Sequence, residues 1–96
     1  LTGKAVERNG KGFYGAELID TARNISLVYE VDPEFAHWTL WNDDGQSGFI
    51  CPEPQTRAIN APNVLLPDEV TGFQFLTPGG VWTASCRIYA ENGRKY

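Results

Sequence analysis

Methionine is absent from this 96-residue sequence, histidine occurs once (His37) and cysteine twice (Cys51 and Cys86). One histidine and two cysteines far apart in the chain make no zinc-ligand spacing, and neither cysteine has a base close to it in sequence that would activate a nucleophile. No glycine-rich phosphate loop precedes a helix, so no metal or cofactor is expected. Basic residues are also few. Eight stand against twelve acidic ones, for a net charge of −4, and they cluster nowhere except at Arg94-Lys95, which disfavours a nucleic-acid partner. No apolar run approaches the ~20 residues that span a bilayer, and no basic segment leads into an apolar one as in a signal peptide. The expectation is therefore no membrane partner and a cytoplasmic location. A lone cysteine pair in strand-like contexts reads as free thiols rather than as a disulfide. With Leu1 first and no methionine, the chain reads as a single β domain over residues 1–96, a fragment of something longer, and its length allows one core.

Helical periodicity is missing too: no stretch free of glycine and proline repeats apolar residues at i, i+3 and i+4 over ten positions. Strand patterns take its place. Residues 13–19 follow the turn signal Asn9-Gly10-Lys11-Gly12, and Ile25, Leu27, Tyr29 and Val31 alternate with Ser26, Val28 and Glu30. These two runs predict a hairpin through residues 20–24. A second hairpin is predicted from residues 37–41 and 48–51, joined by the polar cluster Asn42-Asp43-Asp44-Gly45-Gln46-Ser47. Residues 52–67 hold four prolines and no alternation, and their apolar content predicts an ordered but irregular loop. A short strand over residues 72–76, the turn Thr77-Pro78-Gly79-Gly80 and a long strand over residues 81–91 complete the chain. The last strand is apolar on both faces, which predicts a central place in its sheet. Strands with short turns and no helix beyond a turn or two make the fold class all-β, an antiparallel β-sandwich.

Few residues suggest chemistry. His37 stands beside Trp38 in a strand and reads as structural. Asp43-Asp44 and Asp68-Glu69 are acidic pairs in turns, ordinary solvated punctuation. Trp38, Trp41 and Trp82 could stack on a sugar or fill a core, and Trp38 and Trp41 have opposite parity, so at most one of them faces a given surface. Glu53 differs. In Cys51-Pro52-Glu53-Pro54-Gln55-Thr56 the prolines fix their own φ and push the preceding residue out of the helical region, so the carboxylate stands on a stiff, extended backbone of the kind that positions a general base. Proline-flanked acids are also common on plain surfaces.

The run Phe49-Ile50-Cys51-Pro52-Glu53-Pro54-Gln55-Thr56, then Asn60-Ala61-Pro62-Asn63, Thr71-Gly72-Phe73, Leu76-Thr77-Pro78-Gly79-Gly80 and Cys86-Arg87-Ile88-Tyr89, resembles the C-terminal part of the aldose 1-epimerase (galactose mutarotase-like) family. Upstream, Tyr29-Glu30-Val31-Asp32-Pro33-Glu34-Phe35 and His37-Trp38 are similar to its bacterial branch. The resemblance implies a piece of a larger antiparallel β-supersandwich whose members interconvert the α and β anomers of free aldoses such as galactose or glucose, without metal or cofactor. It implies that Glu53 is the general base and that Gln55, Asn60 and Asn63 lie on the loop bordering the sugar. The family's histidine acid and its sugar-clamping arginine and aspartate have no counterpart here, so Arg57 and His37 do not inherit those roles and the 96 residues alone are expected to be inactive. The competing expectations are a non-catalytic carbohydrate-binding sandwich and an assembly fragment that self-associates through exposed sheet edges.

Overall fold

The computed structural model describes residues 3–92, so Arg94 and Lys95 lie outside the described residues. Two compact units form: one from Lys4–Pro33 with the described residues from Ala84 onward, the other from Glu34–Thr83 with Gly3. Among the described residues, secondary structure is antiparallel β apart from one turn each of 3-10 and α-helix, and no helix is long and apolar enough to cross a membrane.

In the first unit β1 (Val6–Arg8) and β2 (Lys11–Phe13) form a hairpin whose turn residues, Asn9 and Gly10, have φ of 53° and 74°. Two positive φ values in a two-residue loop make the turn that matches the right-handed twist of paired strands. The Asn9-Gly10 signal thus joins two strands, and the run expected over residues 13–19 is divided between β2 and β3 (Gly15–Asp20). β3 pairs with β4 (Ile25–Val31) as expected, closing at Asp20↔Ile25. The Asp20 carboxylate secures the turn by accepting from the Arg23 backbone N–H (3.0 Å) and guanidinium (2.6 Å).

The final strand corrects two expectations. β7 (Cys86–Asn92) is seven residues long, and in the order β3-β4-β7 it lies at the edge while β4 is central. Its ladder begins at Val31↔Cys86, where its partner strand ends, so residues 81–85 have no partner strand in this sheet despite their alternation. The apolar two-sidedness that suggested a central strand appears instead as an uncovered face, with Leu27 46 % and Ile88 60 % exposed. On the opposite face Ser26 and Val28 are buried, and Arg8 reaches both outer strands there: its guanidinium meets Glu17 at 3.0 Å and Glu91 at 2.7 Å.

In the second unit β5 (His37–Trp41) occurs where the pattern predicts it, but its hairpin partner is β6 (Cys51–Gln55), not residues 48–51. Prolines are normally excluded from sheet interiors because they cannot donate to the ladder. Pro52 and Pro54 escape that exclusion because they share one parity. Opposite Leu40 and Trp38 they take the positions that exchange no hydrogen bonds, and the backbone N–H groups of Cys51, Glu53 and Gln55 remain for the ladder.

Beyond β6 the chain makes a 3-10 turn at Ala61–Asn63, entered through left-handed Asn60, and one helical turn, α1 (Asp68–Thr71). The loop is closed by Ala58 N–H donating to the Thr71 carbonyl at 2.6 Å. Gly72, with φ of 73°, then passes so close that a Cβ on it would collide with the Thr56 carbonyl oxygen. Gly72→Ala is therefore expected to destabilise the protein by about 2 kcal/mol, from left-handed strain and the clash together, seen as a lower urea midpoint at unchanged m-value. No strand forms over residues 72–76: they find no partner strand, and Phe73 and Phe75 pack on each other instead, with ring centroids 4.8 Å apart. The Thr77–Gly80 turn is present, with Gly80 N–H donating to the Thr77 carbonyl at 2.8 Å.

Candidate active site

The register of β5 on β6 places Glu53 among its neighbours. His37 faces Gln55, Thr39 faces Glu53 and Trp41 faces Cys51, and residues opposed in an antiparallel ladder point to the same side of the sheet. One face therefore carries His37, Thr39, Trp41, Cys51, Glu53 and Gln55, with Glu53 in the middle of its strand. The other carries Trp38, Leu40, Pro52 and Pro54. Directly opposed side chains start about 5 Å apart and diagonal ones about 7–8 Å, which brings His37 and Trp41 into the neighbourhood of Glu53.

Glu53 is half-buried on this face and held by its proline flanks at the centre of β6, not in the irregular loop expected over residues 52–67. Burial pushes the Cys51 thiol up, reinforced by Glu53, whose carboxylate accepts its hydrogen bond. Cys51 and Cys86 are both free. Gln55 and Asn60 line an open concavity of about 490 Å³ together with Phe35, Arg57 and Ile59. Asn63 does not line it; its side-chain amide donates to the Asn60 Oδ1 at 2.7 Å, so it supports Asn60 from behind. Glu53 stands one pleat away from that concavity, beside Gln55. Of the four residues singled out in the sequence, Gln55 and Asn60 thus share a concavity, Asn63 bonds to Asn60, and Glu53 stands two residues before Gln55 on β6.

The loop over residues 42–50 completes the edge of the face. Asn42 donates its side-chain amide to the carbonyls of Ser47 and Phe49. The Asp44 carboxylate accepts from the backbone N–H groups of Gln46 (2.8 Å) and Ser47 (3.0 Å) and from the Ser47 hydroxyl (3.1 Å). These bonds hold the Asp44 carboxyl below the usual range, the Gln46 N–H foremost. A carboxyl with a lowered folded-state pKa stabilises above its unfolded value, ~3.9, and that stabilisation is lost as pH falls through the folded value. The Gln46 and Ser47 amide resonances are expected to shift together only on acidification below that range.

Another concavity, in the three-stranded unit, is lined by Glu30, Asp32, Ser85, Cys86 and Arg87, but its charges serve the fold. Glu30 accepts from Arg87 at 2.7 Å, and Asp32 accepts from the Ser85 backbone N–H at 2.8 Å. Among the described residues, no group of three His, Cys, Asp or Glu side chains is gathered so as to hold a metal ion.

No known family profile matches the sequence. Among solved structures, the crystal structure of a galactose mutarotase-like protein from Clostridium acetobutylicum aligns over 94 % of this chain with a TM-score of 0.88 and 42 % sequence identity. The chain has a galactose mutarotase-like fold. It spans about a quarter of that neighbour, 27 % of its length. Within this mutarotase-like chain, the sequence reading missed that Thr39, Trp41 and His37 share the face of Glu53. Parity alone made that legible for the odd-numbered residues of each strand. Joining the two strands needed the register, which the prolines of β6 concealed.

Proposed function

We propose that this chain supplies the general-base portion of an aldose 1-epimerase, with Glu53 as the base. The reading is supported above all by the place of Glu53 at the centre of a polar sheet face within a mutarotase-like fold, with Gln55 and Asn60 continuing the strip beside it. In the proposed reaction the Glu53 carboxylate takes the proton of the anomeric hydroxyl while an acid from outside these residues protonates the ring oxygen, and the bond between C1 and that oxygen breaks. The open-chain aldehyde turns about C1–C2, and closure on the other face reverses both proton transfers. Protons balance, nothing is oxidised, and the sugar leaves as its other anomer. Gln55 and Asn60 offer amide donors and acceptors to sugar hydroxyls, and Asn63 keeps the Asn60 side chain oriented.

The test is polarimetry on freshly dissolved α-galactose. A complete protein carrying these residues is expected to speed the change in optical rotation far beyond buffer, and the 96 residues alone are not, because the acid is absent. A complete protein that gives only the buffer rate would overturn the reading in favour of sugar binding without turnover.

A further inference from the structure

The register of the β1–β2 hairpin closes at Arg8↔Lys11, so its turn residues, Asn9 and Gly10, lie outside the ladder. Both are exposed, and among the described residues neither the Asn9 side-chain amide nor the Gly10 backbone N–H has a hydrogen-bond partner. A Cβ on Gly10 would meet nothing within 4 Å. Other asparagines are placed differently: Asn24 precedes β-branched Ile25, and the side chains of Asn42, Asn60 and Asn63 are engaged in hydrogen bonds. The observed turn, with φ of 53° at Asn9 and 74° at Gly10, differs from the other common two-residue hairpin turn mainly by a rotation of the peptide unit between these residues. That rotation takes Gly10 to negative φ, which glycine adopts as readily as positive, and it leaves the Arg8↔Lys11 pair closed. It also swings the Gly10 nitrogen to the side of the Asn9 Cβ, within reach of the side-chain carbonyl carbon.

We propose that Asn9 is a self-modification site, at which attack by the Gly10 backbone nitrogen converts the side-chain amide to a carboxylate and loosens the Arg8 bridge beside it. The Gly10 nitrogen bonds to the Asn9 Cγ and gives up its proton, the bond from Cγ to Nδ2 breaks, and ammonia leaves with a proton taken from water. The product is a cyclic imide. Water then opens it at either carbonyl carbon. Breaking the bond from Cγ to the Gly10 nitrogen gives an aspartate, and breaking the bond from the main-chain carbonyl carbon to that nitrogen gives an isoaspartate, whose backbone runs through Cγ. Ammonia is lost, water is gained and nothing is oxidised. A side chain at position 10 would crowd the ring closure, which is why glycine after asparagine matters. Both products put a negative charge next to Arg8, and the isoaspartate also adds a backbone atom to a two-residue loop that has no slack. Arg8 is the residue whose guanidinium holds Glu17 and Glu91, so a disturbed turn weakens the tie between β1 and the three-stranded sheet.

The experiment is incubation of the chain at mildly alkaline pH, folded and in urea, followed by cleavage after glutamate and mass spectrometry. Cleavage isolates residues 8–17, in which Asn9 is the one side-chain amide, and separates them from Asn92-Gly93, the other occurrence of the dipeptide. In the folded chain residues 8–17 are expected to gain about 1 Da at a rate within about tenfold of that in urea, because the turn rotates without unfolding the unit. The peptides that carry Asn42, Asn60 and Asn63 are expected to keep their mass in the folded chain. The modified chain, separated by its extra negative charge, should unfold at a lower urea concentration than the unmodified one. Residues 8–17 that keep their mass in the folded chain while gaining it in urea would overturn the proposal, since the turn would then protect Asn9, and so would no gain in either state. A modified chain with an unchanged urea midpoint would overturn the link to the Arg8 bridge.

Discussion

Arg8→Met is expected to lower the stability of the three-stranded unit by about 3 kcal/mol, a large part of the 5–15 kcal/mol that holds a typical domain together. The Arg8 guanidinium is almost wholly covered and bridges Glu17 on β3 and Glu91 on β7, over the row that contains Ser26 and Val28 of β4. Its hydrogen bonds to Glu91 and then Glu17 hold it even more firmly protonated than a free arginine. Removing the cation leaves two carboxylates on one covered face. Of these Glu17 is the costlier, since Glu91 keeps a third of its side chain in water and is partly screened. The cost is that of covered carboxylates that have lost their cation rather than the net worth of the pairs, so the further substitutions Glu17→Leu and Glu91→Leu should recover most of it. Urea unfolding of the single and triple variants reads both. A single variant as stable as the parent would show that the bridge contributes nothing.

Arg8 also shows what the sequence could not convey. As an isolated basic residue before Asn9-Gly10 it had no signal, because its partners lie 9 and 83 residues away and only the order β3-β4-β7 brings them together. Local features were legible where local chemistry decides them: Ile25–Val31 by strict alternation, the Asp20-to-Asn24 turn by its polar residues, and the absence of long helices by composition. Pairing was less legible. Residues 72–76 and 81–85 alternate well enough but have no neighbouring strand, while Cys51–Gln55 looks unlike a strand and yet forms one because its prolines fall on non-donating positions. Of the candidate site, the motif marked Glu53, Gln55, Asn60 and Asn63, of which the structure brings Gln55 and Asn60 to one concavity and bonds Asn63 to Asn60. The company of His37, Thr39 and Trp41 required the register.

Glu53→Gln is expected to have the largest functional effect. The substitution keeps the size of the side chain and its capacity to hydrogen-bond, and the stiff Pro52-Glu53-Pro54 backbone keeps the new amide where the carboxylate stood. What disappears is the proton acceptor. A positioned general base typically contributes 10²–10⁴-fold to a proton-transfer step, so on the proposed assignment kcat should fall by about that factor while KM changes little, because the proposed sugar contacts at Gln55 and Asn60 are retained. Asn60→Ala is expected to behave in the opposite way, raising KM with kcat largely retained. The central claim, that Glu53 is the base, is tested most directly by polarimetric mutarotation of α-galactose with the complete protein and its Glu53→Gln variant under saturating sugar. The account predicts a loss of at least about a hundredfold in kcat at nearly unchanged KM. A Glu53→Gln variant turning over at the parent rate would contradict it.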